Sequence, residues 1–390
     1  MSQLKVNSIS DSAGANGNAI TLSSDGTCTV KATNKSNRNL VINGAMQVAQ
    51  RGTSSTGVGY VTVDRFSVEY GGENEAPTCS QHALTSSDTG PWAKGFRNSL
   101  HITNGNQTGG AGVTDEMNID YRFEAQDIAN SGWNYTSASS YITLSFWVKS
   151  SVAQDFKFYL KTEDGTEKGY PMSTGALSAN TWTKITKTIP GHADLTFDNN
   201  NAKGLNIEWF AFLGTDRTGS VTDNAWMNYS GSTRVNDMTS TWWTTNDATF
   251  EITGVQLEVG DTATEFEHRS YEEELQRCYR YYEQFSSQAQ SEAVFGSGYF
   301  ESNARGRHCI RFNRKRATPT ITATAASTFM NLNTNSVPAG DTITIKKPTV
   351  TSAEFQLEAG SGANDGTDGQ GCCLASKDST EATIKISAEL

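Results

Sequence analysis

Short runs of alternating apolar and polar residues recur along most of the chain, and this pattern predicts a mainly β protein. The clearest run is 139–151, where Ile142 and Leu144 share one face of a strand while Trp147 and Lys149 share the other. Further strands are predicted within 61–70, 100–102, 117–123, 155–172, 180–191, 205–214 and 249–258. Eight or more strands at this spacing predict a jelly-roll-like β-sandwich.

Two of these runs contain a break in the alternation. In the last of them the apolar face slips between Ile252 and Val255, and Gly254 at the slip is typical of a β-bulge. In VTVDRFSVEY, at 61–70, the apolar residues change face near Asp64, which predicts a bend or a bulge there.

Residues 269–287 carry the one convincing helical pattern, and we predict a linker helix there. Ser270 stands three residues before Glu273, as in a capping box. The apolar positions form a narrow seam of Leu275, Tyr279, Tyr282 and Phe285, with Cys278 as an alternative to Tyr279. This seam either packs against the same chain or forms an oligomer interface between copies.

The composition supports a folded protein rather than a disordered one. Only 36% of the 390 residues are hydrophobic, but 8 Trp, 13 Tyr and 17 Phe supply large side chains for a core. The net charge of −11 disfavours nucleic acid as a partner, since that binding depends on Lys and Arg neutralising phosphates. No apolar run has the length of a leader peptide or a membrane span, so we expect assembly in a cytoplasm without membrane insertion.

Two sets of motifs carry a resemblance. NLVINGAMQVAQRGTS (39–54) followed by VDRF (63–66), and GVQLEVG, T-x-F-E and RSYEEELQRCYRYY near the closing strand, resemble the start and the end of the carbohydrate-binding-module-like sandwich of bacteriophage tail-fibre and virion surface proteins. TWTKITKTIPG at 181–191, between the opening and closing motifs, also resembles a segment of such modules that lies between two core strands. The motifs bracket well over half of the chain.

The resemblance implies a virion protein that attaches to host surface polysaccharide. Its expected parts are an N-terminal arm at 1–36 that docks on phage tail or capsid proteins and interlocks a homotrimer, a sandwich at 37–268, the linker helix, and a C-terminal β tip at 288–390. A head fibre or decoration protein without a receptor role, and a polysaccharide depolymerase tailspike, are the alternatives.

Glycan binding by a β-sandwich requires aromatic rings and polar groups that a sugar can reach. The aromatic residues in polar loops are candidates for this role: Trp133, Tyr135, Trp226, Tyr229, Trp242 and Trp243. The alternative is that these rings fill the ends of the sandwich. Trp147, Trp182 and Trp209 lie within strands, where a structural role is expected.

No signature of an enzyme or of a cofactor site is present, and we expect a protein that is not an enzyme and needs no cofactor. Glu124, Asp127 and Glu208 offer carboxylates for glycoside hydrolysis, but the sequence does not bring two of them together. The histidines at 82, 101, 192, 268 and 308 are scattered along the chain. Phosphate-cradling loops with a GKS or GKT ending are absent from the sequence.

The cysteines and one acidic loop are the remaining candidates for metal sites. The 6 Cys form no C-x-x-C pair, so free thiols are expected rather than zinc ligands or a disulfide framework. NDGTDG at 364–369 places Asp365 and Asp368 near a possible calcium ion, but the loop lacks the final acidic residue of a full calcium loop. We therefore expect a solvated turn and no bound metal.

Overall fold

A computed structural model describes residues 8–10, 18–22, 28–30, 37–333, 339–359, 366–378 and 381–390 of the chain. It confirms the predicted fold class, which is mainly β with a jelly-roll-like sandwich. No helix in these ranges is long and apolar enough to cross a lipid bilayer.

The N-terminal segment contains three short strands, β1 (Ser8–Ser10), β2 (Asn18–Leu22) and β3 (Cys28–Val30). They form a three-stranded antiparallel sheet in the order β1-β2-β3. The strands therefore pair with one another within a single chain. The role of this segment as a docking arm stays a prediction.

The sandwich is built from two six-stranded sheets. Its strands are β4 (Ser54–Ser55), β5 (Phe66–Gly71), β6 (Thr78–Ala83), β7 (Asn98–Thr103), β8 (Glu116–Glu124), β9 (Tyr141–Ser150), β10 (Asp155–Thr162), β11 (Lys168–Ala176), β12 (Thr183–Pro190), β13 (Lys203–Leu213), β14 (Met227–Asn228) and β15 (Thr249–Val259). Sheet I has the order β14-β11-β10-β13-β8-β5, and sheet II has the order β12-β9-β15-β7-β6-β4.

The two sheets enclose one aromatic-rich core. Phe146 of sheet II meets Phe158 and Trp209 of sheet I with ring centroids 5.2 and 5.7 Å apart. Burial also follows the alternation predicted for 139–151, because Ile142 and Phe146 lie in this core while Trp147 lies on the opposite face. The sequence pattern thus fixed which face of β9 points outward.

The described ranges contain three α-helices. Two of them connect strands of the sandwich, α1 (Ala125–Ala129) and α2 (Thr241–Thr244), and the third, α3 (Tyr271–Cys278), follows β15. The Ser270 side chain caps α3 by accepting a hydrogen bond from the Glu273 backbone N–H at 3.3 Å, as the capping pattern predicts. The predicted end of the helix is wrong, because α3 stops at Cys278 instead of continuing to residue 287.

The rest of the predicted helix forms a strand of the C-terminal region. Tyr282 to Ser286 pairs with Thr383 to Ser387, so the final strand of the chain supplies the backbone partners that a longer helix would have supplied itself. Tyr282 is buried and Phe285 packs against the C-terminal core. These two residues are therefore part of the intramolecular fold and not of a helical seam between copies, while Leu275 and Tyr279 lie half-buried on and beside α3.

The C-terminal region forms two further sheets. Its strands are β16 (Tyr282–Ser286), β17 (Val294–Ser302), β18 (Arg305–Arg311), β19 (Thr320–Ala323), β20 (Phe329–Leu332), β21 (Gly340–Lys346), β22 (Ser352–Ala359), β23 (Gly371–Ser376) and β24 (Thr383–Ser387). One sheet has the order β16-β24-β19 and the other β20-β23-β17-β18-β22-β21. Their shared core includes Phe329, Phe355 and Ile384.

A buried arginine joins the sandwich to this C-terminal region. The Arg65 guanidinium pairs with the carboxylate of Glu389, donates to the Arg122 carbonyl oxygen at 2.6 Å and lies 3.4 Å from the centroid of the Tyr281 ring. The backbone of Arg65 has φ +74°, which produces the bend predicted near Asp64 directly before β5. The VDRF and YRYY motifs thus meet in one contact.

The predicted bulge at Gly254 is confirmed, since the β9–β15 register shifts between Thr253 and Gln256 and Gly254 has φ +62°. The Asn39 side chain bonds the backbone next to the bulge. Its Nδ2 donates to the Val255 carbonyl oxygen at 3.1 Å, and its Oδ1 accepts from the Leu257 backbone N–H at 3.1 Å. A buried amide therefore ties the opening segment of the sandwich to its closing strand.

Replacing Gly254 with Ala should destabilise the protein by about 2 kcal/mol or more, because the positive φ disfavours a side chain and a Cβ there would lie 2.6 Å from the Phe96 ring. Gly71→Ala is the matched control, since its Cβ would meet nothing within 4 Å. Chemical denaturation should separate the two variants. Equal stability of the two would contradict this account of the bulge.

Candidate functional site

The loop tryptophans predicted to bind glycans are mostly internal. Trp242 and Trp243 are 0% exposed and Trp133 is 3% exposed. Trp243 stacks on Phe212 with ring centroids 5.4 Å apart and donates its indole N–H to the Gly110 carbonyl oxygen at 3.0 Å. For these three residues the glycan-contact prediction is wrong, because their rings fill the sandwich in spite of the polar loops that carry them.

The other three predicted residues are half-buried, and each already contacts the sandwich. Tyr135 packs edge-on against Phe197 at 5.0 Å between ring centroids. The Trp226 indole N–H donates to the Pro190 carbonyl oxygen at 2.7 Å, and the Tyr229 ring lies 4.2 Å from the Lys161 ammonium. Their part in ligand binding stays a prediction.

A different set of aromatic and polar side chains meets on the outer face of sheet II. They line a cavity of about 120 Å³, called the aromatic cleft below: Lys94, Phe96, Ser145, Trp147, Lys184, Gly254, Glu265, Phe266 and His268. Trp147 is half-buried on β9, and the exposed Lys184 is its direct neighbour on β12. The cleft therefore stands on two paired strands.

The opposite wall of the aromatic cleft comes from the segment 264–269, which crosses the outer face of β15. Gln256 and Glu258, both buried on that strand, hold the segment in place. The Gln256 Oε1 accepts from the Glu267 backbone N–H at 2.8 Å, and the Glu258 Oε1 accepts from the Thr264 backbone N–H at 2.8 Å. The T-x-F-E motif is thus anchored by the polar residues of the GVQLEVG motif.

Three rings at the bulge form a cluster within this wall. The centroid of Phe266 lies 4.8 Å from that of Phe96 and 4.9 Å from that of His268. Phe96 lies directly over Gly254, where any side chain would displace it. Since Phe266 is half-buried and Phe96 is buried, the inner ring supports the outer one.

The charged groups of the cleft are two lysines, Lys94 and Lys184, and one carboxylate, Glu265. Lys94 pairs with Glu265 at 3.3 Å and its backbone carbonyl lies 2.8 Å from the His268 Nε2. The Lys184 ammonium forms no hydrogen bond or ion pair with any residue that the structure describes. An unpaired ammonium beside Trp147 is therefore available to a ligand.

A second, larger cleft of about 630 Å³ lies between α1 and α3. It is lined mainly by amides and charged groups, among them Asn37, Gln126, Asp127 and Arg277. Its aromatic residue, Tyr281, is buried. This cleft can form hydrogen bonds with a polar ligand but offers no exposed ring for stacking.

The three carboxylates named as possible catalytic groups lie in different surroundings. Glu124 is buried and receives two bonds of 2.6 Å from Arg280, so its oxygens are already engaged. Asp127 is exposed at the edge of the larger cleft. Glu208 is buried on β13 directly opposite Asp120 of β8, a partner that sequence reasoning missed.

The environment of the Asp120–Glu208 pair raises both pKa values. Burial, together with the charge of Asp120, raises the pKa of Glu208 to about 7. Burial also raises the pKa of Asp120 in spite of the opposing charge of Arg122. The Tyr159 hydroxyl and the Asn206 amide both donate to the Glu208 Oε1 at 2.8 Å.

The thiols and the acidic loop were the other candidates for metal ligands. Five of the 6 cysteines have free thiols: Cys79, Cys278, Cys309, Cys372 and Cys373. Asp368 is exposed, and Asp365 lies outside the described residues, so the calcium interpretation of that loop is not tested.

The sequence contains a signal for one wall of the aromatic cleft. Trp147 stands on the polar face of an alternating strand, where a large ring has no core to enter, so its position already indicated an outward-facing aromatic residue. Phe266 lies in the T-x-F-E motif, where no alternation shows which way its ring points. Their proximity depends on how 264–269 folds back across β15, which the alternation does not specify.

No protein-family model matches the sequence, and comparison with curated protein sequences finds no relative. The fold is similar to a putative sugar-binding protein from Bacteroides thetaiotaomicron, with 11% identity and a TM-score of 0.31 over 57% of this chain and 100% of that one. It is also similar to the family 11 carbohydrate-binding module of a cellulosomal cellulase of Clostridium thermocellum, with 12% identity and a TM-score of 0.24 over 56% of this chain and 98% of that one.

A further similarity is to the enzymatically active domain of tailspike protein 4 of bacteriophage CBA120, with 11% identity and a TM-score of 0.30. It covers 57% of this chain but only 22% of the tailspike chain. Similarities of this size identify neither a family nor a ligand.

The stability of the protein should fall as the pH rises from about 4.5 to about 7, because the folded pKa of Glu208 lies above its ordinary value of 4.5. In this window the folded state binds more protons than the unfolded state, so deprotonation favours unfolding. Glu208→Gln should reduce this slope, with a difference of up to about 3 kcal/mol between the two ends of the window. Denaturation curves at several pH values measure it, and parallel profiles for both proteins would contradict the assignment.

Proposed function

We propose that this chain binds glycans, and that the aromatic cleft on sheet II is the binding site. The observation that carries the proposal is the placement of Trp147 and Phe266 in one small cavity with an unpaired Lys184. A sugar presents an apolar C–H face and a rim of hydroxyl groups. Rings supply the surface for that face, while Ser145, Glu265 and the lysines supply partners for the rim.

The size of the cavity favours a local feature of a glycan over a long stretch of polymer. Pockets for drug-sized ligands are usually about 300 to 1,000 Å³, so a cavity of about 120 Å³ fits a single branch or terminal sugar. Few contacts give a weak individual affinity. Useful attachment then requires several copies of the site acting together.

The resemblance of the opening and closing motifs to virion surface proteins supports a place for this chain on a bacteriophage. We propose a tail fibre or receptor-binding protein that recognises polysaccharide on the host cell and remains a binding protein without cleaving it. The N-terminal strands would dock on the virion, and three copies would provide the avidity.

Trp147→Ala should weaken binding to host surface polysaccharide by at least about tenfold, because it removes the ring beside Lys184. Trp226→Ala is the matched control: this ring is also a half-buried tryptophan, but it lies outside the aromatic cleft. Binding of purified protein to immobilised bacterial polysaccharides measures the effect.

Loss of binding in Trp226→Ala with full binding in Trp147→Ala would transfer the site to the loop aromatics. The same incubations should leave the polysaccharide at its original length. New reducing ends that vanish in Glu208→Gln would show instead that the chain is an enzyme acting through the Asp120–Glu208 pair.

The proposed trimer has a direct test. The full chain in native buffer should give a species near three times 42.2 kDa in a native mass measurement. Because Tyr282 and Phe285 are used inside the chain, variants at these positions should reduce folding rather than separate folded copies. A well-folded single chain at micromolar concentration would contradict the trimer.

A further inference from the structure

Two histidines and a glutamate from three neighbouring strands meet on the outer face of sheet II. Glu251 on β15 lies directly opposite His101 on β7, and His82 on β6 lies diagonally across from His101. One ligand atom from each of the three lies within 4.8 Å of the others. The histidines that look scattered in the sequence are therefore brought together by strand register.

The His101 ring places a nitrogen against the Glu251 carboxylate. Its Nδ1 lies 3.2 Å from the Glu251 Oε1 but forms no hydrogen bond, while its Nε2 lies 3.0 Å from the Thr103 hydroxyl. With the proton on Nε2 and donated to Thr103, the Nδ1 lone pair points toward a carboxylate. Two electron-rich atoms at this separation attract a positive ion placed between them.

We propose that His82, His101 and Glu251 bind one divalent transition-metal ion. Two imidazole nitrogens and one carboxylate oxygen form a donor set typical of zinc and of its neighbours cobalt and nickel, whereas calcium and magnesium prefer oxygen ligands. Tetrahedral ligands about 2.1 Å from a zinc ion are roughly 3.4 Å apart. The ligand atoms therefore need only small rotamer movements to close on an ion.

Neighbouring residues orient two of the proposed ligands, and one nearby positive charge competes with the metal ion. The Thr103 hydroxyl orients the His101 ring, as the outer contacts of metal-bound histidines commonly do. The Ser99 hydroxyl donates to the Glu251 Oε2 at 2.8 Å. Lys149 opposes the ion, since its ammonium lies 3.0 Å from the Glu251 Oε1, but it is also paired with Asp88 at 3.1 Å.

The proposed site opens to solvent at His82. His82 is 46% exposed, so an ion can enter from the surface and keep a water molecule. A bound ion would link β6 to β7 and β15 close to the edge of sheet II, where β4 is only two residues long. The predicted consequence is a metal-dependent gain in the stability of this edge.

Titration of the chelator-treated full chain with Co²⁺ and Zn²⁺ tests the site. One equivalent of Co²⁺ should give visible absorption bands that Zn²⁺ displaces, and Zn²⁺ should raise the melting temperature. His82→Ala should weaken binding by at least about tenfold, since even the loss of an outer contact costs a metal site that much. Glu251→Gln should do the same, and Lys149→Met should tighten binding by removing the competing charge.

His192→Ala is the matched control and should bind like the wild type, because among the described residues the one carboxylate near His192 is that of Asp194, at 3.8 Å. His82 is a surface residue, so its variant keeps the test valid even where Glu251→Gln fails to fold. Absence of saturable binding by the wild type, or equal binding by the wild type and His82→Ala, would overturn the proposal.

Discussion

The amide of Asn39 completes the hydrogen bonding of a strand that cannot complete it alone. The bulge at Gly254 disrupts the ladder of β15, and the buried Asn39 side chain supplies a donor for Val255 and an acceptor for Leu257. An unsatisfied backbone group in this interior would cost about 1 to 3 kcal/mol. Asn39 also donates its backbone N–H to Glu267 at 2.8 Å, so the same residue fixes the segment that carries Phe266 into the aromatic cleft.

The motifs at the start and the end of the sandwich thus bind each other. Arg269 donates to the carbonyl oxygens of Asn39 and Val41, and the Glu274 carboxylate accepts from the Asn43 backbone N–H. These groups are buried, and each buried charge depends on its partners. A chain that kept one motif and lost the other would leave charges and amides without partners, which gives a physical reason for their occurrence together.

Local pattern predicted much of the fold and little of the site. Alternation identified the outward face that carries Trp147, the slip at Gly254 identified the bulge, and Ser270 identified the start of α3. The spacing of Tyr282 predicted a helix wrongly, because strand pairing with Thr383–Ser387 outweighs the local helix propensity. The prediction of glycan contact by Trp242 was wrong because the polarity of a loop does not show where its aromatic rings pack.

The pattern of apolar and polar residues could not predict contacts between strands that are far apart in the sequence. The pairing of Asp120 with Glu208, and of His101 with Glu251, depends on strand order and register across separations of many residues. The aromatic cleft has the same origin, since its walls come from β9, β12 and a segment beyond β15. The strand topology therefore decides which residues meet in a site on this β-sandwich, whereas the sequence shows only which residue types are present.

The most direct test of the account follows the tryptophan indole N–H resonances of the protein during titration with a bound polysaccharide fragment. The 8 tryptophans give separate probes of the two sheets, the loops and the aromatic cleft. The account predicts that the resonance of Trp147 shifts and saturates with ligand, while those of the buried Trp209, Trp242 and Trp243 remain in place. A saturating shift of Trp226 with an unmoved Trp147 would contradict it.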